Sequence, residues 1–184
     1  VCAVMLELVQ GEGGVLPLEQ SYVDAVKKLC QERDWLLLVD EVQTGVGRTG
    51  KLFAFQNYGI LPDVASFAKG IAGGLPMSGI MANEKSRSVL GPGSHATTFG
   101  ANPVCAAAGL LVQETLTDAF LEEVQAKGAY LRSAIEALNL PCFGKTRGMG
   151  LMIGIAVSDG YNKGEIAAKL IENGLLVLTA GPGM

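Results

Sequence analysis

Trp35-Leu36-Leu37-Leu38-Val39-Asp40-Glu41-Val42-Gln43 is the stretch whose reading decides the fold. Five apolar residues break without transition into two acids. A second run, Val64-Ala65-Ser66-Phe67-Ala68, ends in the same abrupt way on Lys69 and Gly70. Short apolar runs bounded by polar or Gly/Pro signals fit strands buried on both faces, and such strands belong to parallel sheets. Open α/β sheets bind ligands outside the carboxyl ends of their strands. An acid at one such end and a lysine at another predict an active site there.

Upstream, residues 1–9 read as a buried strand carrying Glu7, followed by the turn Gln10-Gly11-Glu12-Gly13-Gly14. Glu12 lies just past a strand end, which suits a site role as well as it suits a solvated loop acid. Residues 18–33 read as an amphipathic helix with Tyr22, Ala25, Val26, Leu29 and Cys30 on its apolar face. Strand, helix and strand at these lengths predict a right-handed parallel crossover.

Downstream, a short helix is expected over 52–58, ended by Gly59, then a strand over 63–69 and an apolar run over 77–82. Asn102 and Pro103 suit the cap and first position of a helix, with Val104, Ala107, Ala108 and Leu111 inward. A second helix spans 118–138, its apolar side drawn by Leu121, Val124, Leu131, Ile135 and Leu138. Alternation over 148–157 predicts one strand. A helix over 164–173 stops at Gly174, and residues 175–178 read as a last strand. Near Thr117, glycine-rich loops give way to an ordinary helix-strand pattern. Two units are therefore expected, 1–117 and 118–184.

Of the 184 residues, 49% are hydrophobic, which is enough to bury a core. A net charge of −4 with no Lys/Arg cluster argues against nucleic acid as a partner. No apolar stretch reaches the roughly 20 residues that span a bilayer, so no membrane partner is expected. Cys2, Cys30, Cys105 and Cys142 are scattered and form no C-x-x-C pair. They read as free thiols in a reducing compartment, the cytoplasm. His95 is the sole histidine, so no metal site is expected. The chain starts at Val1-Cys2-Ala3-Val4, inside an apolar run and without Met, and ends at Gly181-Pro182-Gly183-Met184. It is expected to be a piece of a longer protein.

Gly45-Val46-Gly47-Arg48-Thr49-Gly50 matches G-x-G-x-x-G, and Lys51 nearly extends it to a P-loop. Leu52 offers no hydroxyl for Mg²⁺, and four residues separate the strand from Gly45 where a dinucleotide loop turns tightly. A non-catalytic nucleotide-binding module through residues 45–50 is the alternative from another functional class. Plain Gly/Thr turn structure accounts for the pattern better.

The stronger group is Asp40, Gln43, Lys69, Thr97 and Thr98. A lysine that ends a buried strand is costly unless paired or chemically used, although a lysine that snorkels to the surface fits the spacing equally well. The functional reading is a Schiff-base lysine facing a carboxylate that protonates a pyridine nitrogen. Pyridoxal 5'-phosphate needs those two partners, an amine for its aldehyde and an acid for its ring. Thr98, in a Gly-flanked turn beside a helix start, suits a phosphate.

These residues carry a resemblance. Asp40-Glu41-Val42-Gln43-Thr44-Gly45, Gly47-Arg48-Thr49-Gly50, Pro62-Asp63, Ala68-Lys69-Gly70 through Gly73-Gly74-Leu75-Pro76, and Thr97 through Pro103 resemble the class III pyridoxal-phosphate aminotransferases. The similarity covers nearly the whole chain and is closest to the branch that acts on N-acetylornithine.

The resemblance implies the large cofactor domain of fold type I, an α/β fold, with part of a small α+β C-terminal domain. It implies Lys69 as the amine that holds the cofactor and moves the proton, with Asp40 on the ring nitrogen. Val42 would pack on the ring face and Gln43 would lie near the phenolic oxygen. Thr98 would bind the phosphate of a neighbouring subunit in a homodimer. Thr97 would touch the substrate, and Glu12 would act as a gate glutamate. The implied reaction is ping-pong transfer of the side-chain amino group of N-acetylornithine to 2-oxoglutarate, in arginine biosynthesis. Ornithine, succinylornithine and 4-aminobutyrate are the alternative donors.

Overall fold

A computed structural model describes residues 1–181. The run at the end of the chain lies outside the described residues from position 182 onward.

The central sheet has four strands in the order β1 (Ala3–Leu6), β4 (Leu36–Asp40), β5 (Val64–Phe67) and β6 (Gly79–Ala82). β1 runs parallel to β4, and β4 parallel to β5. β6 returns antiparallel beside β5. Helix α1 (Gln20–Arg33) supplies the expected crossover between β1 and β4. Its last turn closes on Asp34, in the left-handed region, whose N–H reaches the Cys30 carbonyl.

Successive residues of a strand point to opposite faces of a sheet. The row Leu6, Val39, Ala65 and Met81 faces one way. Val39 and Ala65 in it are buried, and Leu8, Val23, Cys30, Leu37, Tyr58 and Ile60 pack with Val39 as the core. The other face carries Met5 and Ile80, 59% and 54% exposed, and with Ile80 the row-mates Ser66 and Asp40.

Several boundaries and faces differ from the sequence reading. The stretch 1–9 is broken: β1 ends at Leu6, and β2 (Val9–Gln10) pairs antiparallel with β3 (Leu16–Pro17). The turn between β2 and β3 holds Glu12. On α1 the buried residues are Val23 and Cys30, while Tyr22 and Leu29 stand 50% and 39% exposed. Val23 and Cys30 lie at one edge of the apolar stripe, so periodicity alone set the face about a quarter of a turn off. The helix expected over 52–58 is a single 3₁₀ turn, Ala54–Gln56.

Helix α2 (Pro103–Thr115) starts where Asn102 and Pro103 predict, with Asn102 Oδ1 accepting from the amides of Val104 and Cys105. Its buried residues are Cys105 and Gly109, whereas Val104 and Leu111 are 66% and 65% exposed. Close approach decides this face: a side chain at Gly109 would meet Met77 Sδ at 3.2 Å and the Ile71 carbonyl at 3.4 Å.

Helix α3 (Asp118–Ala137) buries Leu121, Val124 and Gly128, and leaves Leu131 and Leu138 largely exposed. Gly128 sits directly against the Gly150 carbonyl, with no space for a Cβ. The strand expected over 148–157 is instead part of a hairpin. β7 (Phe143–Met149) and β8 (Met152–Val157) pair antiparallel, and the chain reverses at Gly150 and Leu151. Helix α4 (Lys163–Glu172) follows, and Gly174 takes φ 85° just past its end. Residues 175–178 form no strand: Leu176 and Leu178 are 85% and 96% exposed.

Among the described residues no single helix is long and apolar enough to cross a membrane. All four cysteines are free.

Candidate active site

Asp40 is the last residue of β4 and stands on the open face of the sheet, in register with Ser66 of β5. The Val42 amide and the Ser66 hydroxyl both donate to its Oδ1, each at 2.9 Å. Among the described residues no donor reaches Oδ2. An acid so held cannot swing away, and it presents its second oxygen unpaired at a strand's carboxyl end.

Lys69 lies three residues beyond Ser66, where β5 passes into the 3₁₀ turn Lys69–Ala72. The turn is anchored by buried Ile71 and Ala72, and α2 packs on it through Gly109. Lys69 itself is exposed and adopts φ 52°, the left-handed region that L residues rarely occupy. Strain of this kind clusters at functional positions.

Val42 and Gln43 are half-buried in the turn that follows Asp40. The Gln43 amide lies across Gly11, bringing the Glu12 turn to the same place. Glu12 is exposed, and its carbonyl accepts from the Gly181 amide at 2.8 Å. Arg147 of β7 holds the far side of that turn, its Nε donating to the Gly14 carbonyl at 2.7 Å. Thr97 and Thr98 stand apart from this group in the hydrogen-bond pattern. They belong to residues 87–104, all of them exposed, and the Thr97 carbonyl receives the Gly100 amide.

The Gly45 to Gly50 loop is not an open phosphate cradle. Gly45, Gly47 and Gly50 are buried; Gly47 faces Leu116 and Leu121, and the Gly50 carbonyl accepts from Gln125 Nε2 at 2.7 Å. The loop serves as a packing surface for α3.

The model of the family aminotransferase class III matches residues 1–184. The chain belongs to the class III aminotransferases. Acetylornithine aminotransferase of Caldanaerobacter subterraneus is 48% identical over 180 residues, covering 96% of this chain and 45% of its own length. The Bacillus subtilis enzyme of the same name is 44% identical, covering 100% of this chain and 48% of its own length. Among solved structures, ornithine aminotransferase of Toxoplasma gondii superposes with TM-score 0.90 at 33% identity, over 97% of this chain and 44% of that one. N-acetylornithine aminotransferase of Stenotrophomonas maltophilia gives 0.88 at 34%, over 98% of this chain and 48% of that one. The chain spans somewhat less than half the length of the curated relatives it matches.

Within this class III aminotransferase chain, three supporting residues had no signal strong enough to single them out. Glu41 is fully buried and, among the described residues, has no cationic partner. It accepts from the Thr44 hydroxyl, from the Ala54 amide at 3.0 Å and from the Phe55 amide at 2.8 Å. Burial pushes its carboxyl above the ordinary range, against the pull of those donors. Glu41 thus staples the turn carrying Val42 and Gln43 to the 3₁₀ turn beyond it. Asp63 accepts from the Leu37 amide at 2.8 Å and from Asn83 at 2.9 Å, tying three strands together at their far ends. Ser66 is the third, through Asp40. A second acid after a buried strand and a hydroxyl inside one were the available hints.

Proposed function

We propose that this chain forms the lysine-bearing part of a pyridoxal 5'-phosphate-dependent enzyme that moves the side-chain amino group of N-acetylornithine to 2-oxoglutarate. The observation that carries the reading is the pairing of Asp40 and Ser66 in register on neighbouring strands, with Lys69 three residues on. It sets an acid and an amine at adjacent strand ends.

The residues present fit the cofactor. Asp40 has one oxygen occupied by two donors and, among the described residues, none on the other, as an acceptor for a ring N–H requires. Lys69 is exposed, so its amine is available to the cofactor's aldehyde. When bound, the cofactor supplies an electron sink for the carbon that gives up its amine. With the cofactor bound, Asp40 would keep the ring nitrogen protonated, Val42 would pack on the ring face, and Gln43 would lie near its phenolic oxygen. Lys69 Nζ takes and returns the proton on the carbon that bears the substrate's amine. Glu12 gates the substrate side, and Thr97 contacts substrate.

Exposure of the entire 87–104 segment supports a homodimer in which Thr98 serves the phosphate of the neighbouring subunit. We place the division between the cofactor unit and a C-terminal unit at Thr117, whose hydroxyl caps α3. Four free cysteines fit a cytoplasmic enzyme.

Identity favours N-acetylornithine: relatives of that name share 44–48% with this chain. Ornithine itself is the second reading, favoured by the 0.90 superposition on an ornithine enzyme at 33%. The full-length protein assayed with acetylornithine, ornithine, succinylornithine and 4-aminobutyrate separates them. A higher kcat/KM for any donor other than acetylornithine overturns the substrate. Borohydride reduction and peptide mass spectrometry test the cofactor: a pyridoxyl adduct is expected on Lys69, and its absence removes the proposal.

A further inference from the structure

Two donors converge on one oxygen of Asp40. The Val42 amide is fixed by the turn after β4, whereas the Ser66 hydroxyl comes from the neighbouring strand. A carboxylate torsion is otherwise broad and roughly two-fold, so one tether alone leaves the plane free to tilt. Ser66 is also the register partner of Asp40 and lies three residues before Lys69. Through that single hydroxyl, the strand carrying the amine sets the attitude of the acid.

We propose that Ser66 is a positioning residue for amino transfer, holding Asp40 Oδ1 so that Oδ2 alone is left to accept the ring N–H of the cofactor. This rests on the reading of Asp40 as the ring partner. Hydrogen bonds to a charged group are stronger than neutral ones, and this one acts where the charge is used. Ser66 touches neither cofactor nor substrate in this role; it works only through Asp40.

The test uses the full-length holoenzyme with Ser66→Ala, Ser66→Thr, Asp40→Ala and the double variant. The readouts are the dissociation constant for pyridoxal phosphate, the pH midpoint of the cofactor absorbance, and kcat and KM separately. Ser66→Ala is expected to weaken cofactor binding about tenfold, lower kcat by a similar factor and shift the absorbance midpoint, with KM little changed. Ser66→Thr, which keeps the hydroxyl, restores all three. Adding Ser66→Ala to Asp40→Ala brings no further loss, because the effect runs through the carboxylate.

Wild-type binding, spectrum and kcat in Ser66→Ala, with Asp40→Ala crippled, overturns the proposal and leaves Asp40 in place. An undiminished Ser66→Ala loss in the Asp40→Ala background overturns it too. Wild-type behaviour of Asp40→Ala removes the ring-partner reading and this inference with it. If Ser66→Ala yields no folded protein, Ser66→Cys decides. The thiol is a weaker donor, so values between wild type and a full loss support the role, and wild-type values overturn it.

Discussion

The side-chain amide of Gln43 lies directly across Gly11: a Cβ on residue 11 would sit 2.6 Å from its Cδ, Nε2 and Oε1. Real Cβ atoms do not approach that closely, so a side chain on Gly11 must displace the amide. Gly11→Ala is therefore expected to act through Gln43. The amide is the end of a flexible chain, so the cost in stability is about 1 kcal/mol, at the low end for overpacking. The cofactor affinity should fall as far as it does in Gln43→Ala, and the double variant should be no worse than either. Additive losses in the double variant would show that Gly11 matters for some other reason.

Asp40→Asn separates charge from scaffold. The amide oxygen can still accept from the Val42 amide and the Ser66 hydroxyl, so the fold keeps both tethers. The second position becomes an NH₂, which cannot accept a ring N–H. With the cofactor seated on it, Asp40 becomes half of an enclosed charge pair, and removing one partner of such a pair costs roughly 3–5 kcal/mol. Falling on the transition state, that loss slows transfer by about two to four decades, at about 1.4 kcal/mol per decade. Steady-state rates within a factor of a few of wild type would mean Asp40 has no ring partner.

The ends of β4 and β5 were legible because each apolar run breaks abruptly, and Asp40 and Lys69 stand at the breaks. The register that makes them neighbours was not, since it depends on Asp63 and Ser66 bonding across strands far apart in sequence. The β7–β8 hairpin was hidden by its own alternation. Met149, Leu151, Ile153 and Ile155 keep a period of two straight through a reversal that glycine at position 150, φ 54°, makes. In α2, hydrophobicity pointed to Leu111 while packing chose Gly109, because the tight approach to Ile71 and Met77 selects for size. Glu41 lay in a quoted motif, yet its three donors come from residues 3 to 14 positions away.

Lys69 combines the amine proposed to hold the cofactor with a left-handed backbone, φ 52°. The two can be separated. Lys69→Ala and Lys69→Gly both lose the amine, and both should lose amino transfer. Only alanine keeps a Cβ in that conformation, which costs on the order of 1 kcal/mol for an L residue. The unfolded chain of the glycine variant is more flexible, which offsets part of the gain. The glycine apoprotein should still be the more stable by about 0.5 kcal/mol in urea unfolding. An alanine variant equal to or above it would show that the turn carries no strain.

Glu41 predicts a pH dependence with a definite sign. Its carboxyl is pushed up by burial, so the folded state holds the proton more tightly than the unfolded chain, whose value is about 4.5. The stability Glu41 contributes is therefore fully present below pH 4.5 and declines as pH rises through the folded value. Glu41→Gln cannot titrate, and its NH₂ faces a backbone donor, so it is less stable than the protonated wild type by about 1–3 kcal/mol, the cost of an unsatisfied buried group. The informative quantity is the difference in unfolding free energy between wild type and Glu41→Gln, from urea melts between pH 4 and pH 7. It should be largest at the acid end, shrink with rising pH, and level off above the folded value. A difference that grows toward neutrality would mean the amides of Ala54 and Phe55, with the Thr44 hydroxyl, hold the ionised form more firmly than burial disfavours it.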